Sequence, residues 1–126
     1  MTERPGLLVV DAANVVGSVP DGWWRDRAGA TQRLRDRLVA VARDGLAGFG
    51  PPVDVVLVVE GAARGVPDAP GVRVVPAAGS GDDAIVELLR SEGAGRRLAV
   101  VTADRALRGR VSALGAEVLG PRSVPG

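Results

Sequence analysis

Short apolar runs alternate with stretches of helical period along almost the whole chain. The first run, Gly6 to Val10, predicts a strand, followed by a Gly/Pro-rich connection through Pro20-Asp21-Gly22. Apolar residues then recur at helical spacing as Ala30, Leu34, Leu38, Val41 and Ala42, which predicts a helix from about Asp26 to Arg43. Gly45 and the segment Gly48-Phe49-Gly50-Pro51-Pro52 end it. Val53 to Val59 is a Val/Leu run of the kind found in strands covered on both faces. Past Glu60, a loop with Gly61, Gly65, Pro67, Pro70 and Gly71 leads to a short strand at Val72 to Val75. A helix opening near Asp82 turns Ile85, Leu88 and Leu89 inward. A fourth strand covers Arg97 to Thr102, and the helix after it turns Leu107, Val111 and Leu114 inward. Glu117 to Leu119 predicts a last strand, and Gly120 to Gly126 a loose tail.

Strand–helix alternation of this kind predicts an α/β fold with a mainly parallel sheet and helices on both faces. Right-handed crossovers then require the strand order to reverse, and ligands bind at the carboxyl ends of the strands at that reversal. Asp11, Glu60 and Asp104 all follow the carboxyl ends of expected strands. The chain has no internal repeat or linker, so residues 1–126 are expected to form a single domain.

Composition narrows the chemistry. With 46% hydrophobic and 25% charged residues the chain has the balance of a folded globular protein. No apolar stretch approaches the ~20 residues of a membrane span, and no signal-peptide core precedes the first strand. A cytoplasmic protein with no membrane partner is expected. A net charge of +1 excludes a polycation that coats nucleic acid indiscriminately. All basic residues are Arg, the better fork for phosphate oxygens, but GC-rich coding is the readier explanation of that bias. Only the positions of the arginines carry weight.

The chain has no His, Cys, Tyr or Lys. A Ser triad and a His-based ribonuclease therefore lack their base, a P-loop lacks its Lys, and a zinc site lacks its usual donors. Asp11-Ala12-Ala13-Asn14-Val15-Val16-Gly17 has no dinucleotide-binding glycine pattern. Ala13 stands where a phosphoaspartyl phosphatase would need a second Asp. What remains is carboxylates, arginines and hydroxyls, a set suited to holding a divalent metal against a phosphate.

Each candidate acid has a plain structural alternative. An Asp ending a strand can cap the next turn, and Asp82 and Asp83 suit a first helical turn. Ser80 or Asp82 suits the N-cap there. In a parallel sheet, however, Asp11, Asp104 and the Asp82-Asp83 turn converge on one edge, where unpaired carboxylates repel. A Mg2+ or Mn2+ ion removes that conflict, so their carboxylates are expected within reach of a single ion. Asn14 is either a loop residue or an amide that orients phosphate or water, and Glu60 either an outer acid or a plain strand-end charge.

Leu7-Leu8-Val9-Val10-Asp11-Ala12-Ala13-Asn14, Gly81-Asp82-Asp83-Ala84-Ile85 and Val100-Val101-Thr102-Ala103-Asp104-Arg105 together resemble an NYN domain of the PIN-like nuclease superfamily. The segment Asp21-Gly22-Trp23-Trp24-Arg25-Asp26-Arg27 resembles its bacterial branch. The likeness extends from about residue 6 to 120. It implies a three-layer α/β/α sandwich and Mg2+- or Mn2+-dependent ribonuclease activity. Asp11 and Asp104 would be metal ligands, joined by the Asp82-Asp83 pair with Asp83 preferred. Asn14 and Thr102 match the family's Asn after the first strand and its hydroxyl before the last acid. Glu60 stands where related proteins often carry Asp.

Arg25, Arg27, Arg105, Arg108 and Arg110 would ring such a cleft and hold RNA phosphates, unless they line a solvated face and pair with Asp26 or Asp36. Trp23 and Trp24 either stack on unpaired bases or pack a helix onto the sheet, and at least one of them is expected in the core. The expected partner is single-stranded or locally unpaired RNA, with the ribosome or an antitoxin-like protein as further candidates. A binding module that retains the fold without catalysis is the competing reading.

Overall fold

The computed structural model describes residues 4–46 and 48–125. Five parallel strands, β1 (Gly6–Asp11), β2 (Val53–Val59), β3 (Val72–Pro76), β4 (Leu98–Val101) and β5 (Glu117–Leu119), form one sheet in the order β3-β2-β1-β4-β5. The helices are α1 (Ala12–Gly17), α2 (Arg27–Asp44), α3 (Gly81–Glu92) and α4 (Arg105–Ser112). β1 lies in the middle, pairing with β2 on one side and β4 on the other.

Alternation along the strands divides the core into two layers. Leu8, Val10, Val55, Leu57, Ala99 and Val101 face Leu34, Leu38 and Val41 of α2. Leu7, Val9, Val56, Val58 and Val100 face Ile85 and Leu89 of α3 and Leu107 and Val111 of α4. The architecture is therefore the expected three-layer α/β/α sandwich. Because β1 is covered on both faces, Leu7 to Val10 are all fully buried.

Three local expectations are corrected. The connection after β1 is not irregular at its start: Ala12–Gly17 form the short helix α1, with Ala12 and Val15 buried. Its two-residue apolar repeat is too short for periodicity to separate it from a loop. The segment after β5 is not loose as far as it is described. Pro121–Ser123 form a 3-10 turn, and Val124 is 8% exposed within the core layer that contains α2. Gly126 lies outside the described residues. Neither Trp enters the core. Both lie in a 3-10 turn, Trp23–Arg25, which follows Gly22 at φ 80° and places Trp24 56% exposed and Trp23 half-buried.

Candidate functional site

The strand order reverses at β1, so the loops after β1 and β4 leave toward opposite sides and open a crevice between them. Asp11 and Asp104 flank that crevice. Asp11 is the last residue of β1 and the N-cap of α1, and it is 7% exposed. Its Oδ1 accepts from the Asn14 N–H at 3.4 Å and its Oδ2 from the Thr102 hydroxyl at 3.0 Å. The same Thr102 oxygen accepts the Asp104 N–H at 3.1 Å, and Asn14 Oδ1 accepts the Ala103 N–H at 2.8 Å. Asp104 caps α4 by accepting from the Leu107 N–H at 2.9 Å.

The capping and functional readings are thus compatible. A carboxylate offers about four lone-pair positions, and capping uses only part of that capacity. Asn14 and Thr102 act here as positioning residues that tie one acid loop to the other. Thr102, 1% exposed, is the sole side-chain link from Asp11 to the Asp104 backbone among the described residues. Thr102→Val removes a hydroxyl bonded to a carboxylate and leaves a peptide N–H unpaired. We expect a loss of about 1–3 kcal/mol in denaturant unfolding, recovered largely by Thr102→Ser.

Burial is the main cause raising the Asp11 carboxyl above its ordinary range. The hydrogen bonds from Thr102 and Asn14 oppose it, and the charges of Asp82 and Glu60 add to it. The Asp82 carboxyl is also raised, first by burial and then by Asp104, with Arg110 opposing and Glu60 and Asp83 adding. Asp11, Glu60, Asp82 and Asp104 therefore share one electrostatic field at the carboxyl edge of the sheet.

Within the Asp82-Asp83 pair, Asp82 is the member whose carboxyl is raised, by burial and by Asp104, Glu60 and Asp83. The Asp83 side chain is 75% exposed and accepts from Arg110 Nη1 at 3.0 Å. Successive residues in a first helical turn point about 100° apart, so the two acids meet different surroundings. Glu60, whose role the sequence left open, accepts the Gly81 N–H at 2.7 Å at the start of α3. A Cβ at position 81 would meet that carboxylate and displace it from the Gly81 N–H. Its position immediately after β2 was the available signal.

All four acids offer hard oxygen donors, and two of them are destabilised in the charged form. That donor set suits Mg2+ or Mn2+. Among the described residues, however, no three acids already stand as a preformed ion-binding group. The acids gather on the expected edge without closing around a common point.

Arg25 and Arg27 pair with neither Asp26 nor Asp36. Their guanidinium groups lie over Trp24 and Trp23 at 5.8 and 5.3 Å from the ring centroids. Asp26 caps α2 through the Gly29 N–H, and Asp36 pairs with Arg35. Trp23 and Arg27 line a small cleft with Ala12, Val16, Thr31 and Glu60, which brings this rim beside the acidic edge. Arg105 and Arg108 are exposed on α4.

A parallel sheet of order β3-β2-β1-β4-β5 with an acid-lined crevice at its reversal defines a doubly wound α/β domain. Among solved structures it is similar to Rae1 (YacP) from Bacillus subtilis. That match has a TM-score of 0.75 at 16% identity, over 93% of this chain and 70% of the other. The W164L mutant of the same protein matches with a TM-score of 0.73 at 17% identity, over 94% and 72%. At this identity the likeness shows a shared fold. No family model and no curated protein sequence matches the chain. Among the described residues, no helix is long and apolar enough to cross a membrane.

Proposed function

We propose that the chain is a metal-dependent ribonuclease of the PIN-like, NYN type, cutting phosphodiester bonds in single-stranded or locally unpaired RNA. The observation that carries this reading is the hydrogen-bonded run Asp11–Thr102–Asp104 at the strand reversal, in one field with Asp82 and Glu60. Asp11, Asp104 and Asp82 would hold a Mg2+ or Mn2+ ion, with Glu60 as an outer acid. Such an ion, when bound, supplies a water of lowered pKa and offsets charge on the phosphoryl oxygens.

The chain's own residues do the rest. Thr102 and Asn14 fix the spacing of the two acid loops. Arg25, Arg27, Arg105 and Arg108 draw backbone phosphates to the acidic edge, which would otherwise repel them. The exposed Trp24 offers a face to an unpaired base, with Arg25 beside it. With no His to activate a ribose 2′-OH, water is the nucleophile, and cleavage should leave 5′-phosphate and 3′-hydroxyl ends.

Incubating the protein with end-labelled RNA in Mn2+, and in EDTA, tests this. Mn2+-dependent cuts with 5′-phosphate ends are expected. Products with 2′,3′-cyclic phosphate, or cutting that persists in excess EDTA, overturn the mechanism. The absence of a preformed three-acid group among the described residues favours a second reading, an RNA- or partner-binding module without catalysis. RNA binding with no cleavage in Mn2+ would select it.

A further inference from the structure

A groove of about 760 Å3 opens beside the loop after β4. Val15, Val19 and Pro20, from α1 and its exit, form an apolar wall; Arg37 of α2 and Arg122 of the last turn supply charge. Ala103 forms the end nearest the acids: its N–H is held by Asn14, and Asp104 follows it. Among the described residues, no acid lines the groove.

Several features point to an anionic, partly apolar occupant. Arg37 Nε is buried without a hydrogen-bond partner, and a buried N–H left unpaired is costly. Among the described residues, no ion pair engages Arg37 or Arg122, a state they share with Arg25, Arg27, Arg105 and Arg108 near the acidic edge. Val19 is 45% exposed on the wall, a large apolar side chain without cover. Two guanidinium forks beside an apolar face match the two halves of a nucleotide, its phosphate and its base.

We propose that this groove holds the nucleotide flanking the scissile phosphate. Arg37 and Arg122 grip its backbone phosphate, and Val15, Val19 and Pro20 pack its base. The proposal rests on the reading of the acidic edge as a site for RNA, and it deepens that reading. The groove lies on the β4 side of α1, whereas the Trp23 cleft lies on the β2 side with Glu60. An RNA strand spanning both crosses the acidic edge between them. A base packed on the wall must leave its stack, so the groove selects unpaired RNA over duplex.

The test is binding of a short fluorescein-labelled single-stranded RNA in EDTA, by anisotropy at several salt concentrations. Arg122→Ala and Arg37→Gln should each raise Kd by about tenfold and flatten the slope of log K against log salt by about 0.7. Val19→Ser should raise Kd with the slope unchanged. Arg122 and Val19 are exposed, so those variants remain informative if Arg37→Gln fails to fold. Wild-type affinity and slope in both of them overturn the proposal. The two readings fail separately. Weakened binding by the variants of a protein that never cleaves RNA upholds the groove against the nuclease reading. Cleavage with unaltered binding upholds the nuclease reading against the groove.

Discussion

Asp11→Asn and Asp104→Asn are each expected to lower Mn2+-dependent RNA cleavage by at least about 100-fold. Removing an outer partner of a metal site commonly costs 10–100-fold, and a direct ligand should cost no less. The two changes differ structurally. Asp11 is buried between two hydrogen-bond donors, and its Asn replacement keeps an acceptor for one of them. Asp104 is partly exposed and caps α4, a role that Asn also fills. Both variants should therefore fold. Asp83→Asn should retain most activity, since its carboxylate is largely exposed and pairs with Arg110. Single-turnover cleavage of one labelled RNA by all three separates the roles. Equal losses at Asp83 and Asp11 would overturn the assignment of Asp82 over Asp83.

Metal and mutation should act on stability with opposite dependence. Mn2+ at about 100 times its Kd should stabilise the protein by about 2.7 kcal/mol, roughly 10 °C in Tm for a domain of this size. Without metal, Asp11→Asn should raise Tm at neutral pH while abolishing most of the Mn2+ response. The sign follows from the raised Asp11 carboxyl. The folded protein keeps that proton to higher pH than the unfolded chain. Its stabilising contribution is therefore full below the unfolded value of 3.8 and is lost as pH rises through the folded value. Asp82 acts in the same direction. The stability advantage of Asp11→Asn over the natural protein should thus be largest at neutral pH and shrink as pH falls through that window. An advantage independent of pH, or an undiminished Mn2+ shift in the variant, would count against the site.

The central architecture was legible because its signals are collective. Val53 to Val59 and the 3–4 spacing of Leu34, Leu38 and Val41 each repeat a period long enough to be unambiguous. The placing of Asp11 and Asp104 at one edge followed from parallel strands and right-handed crossovers alone. The different surroundings of Asp82 and Asp83 were not legible, because they depend on how α3 is rotated about its axis against β1 and β2. The half-exposed Trp23 and the buried Val124 were equally hidden. Neither lies in a repeating apolar pattern that would announce its burial. The Arg37 groove is hidden for the same reason: it joins α1, α2 and the segment after β5, which no local spacing connects.

The pairing of β1 with β4 also bears on the order in which the molecule can become competent. Leu7 pairs with Leu98 and Val10 with Val101, so this seam joins residues some ninety positions apart. Closing so long a loop is slow relative to local structure, because its entropy is lost before contacts repay it. The Thr102-to-Asp11 hydrogen bond lies at the end of that seam, 91 residues apart in sequence. β1, α1, α2 and β2, with Asp11, Glu60 and the Trp–Arg rim, all precede that seam's second strand in the chain. The chain cannot align Asp104 with Asp11 until β4 is inserted. On the function proposed above, the two acid loops come into register only once the sheet is closed.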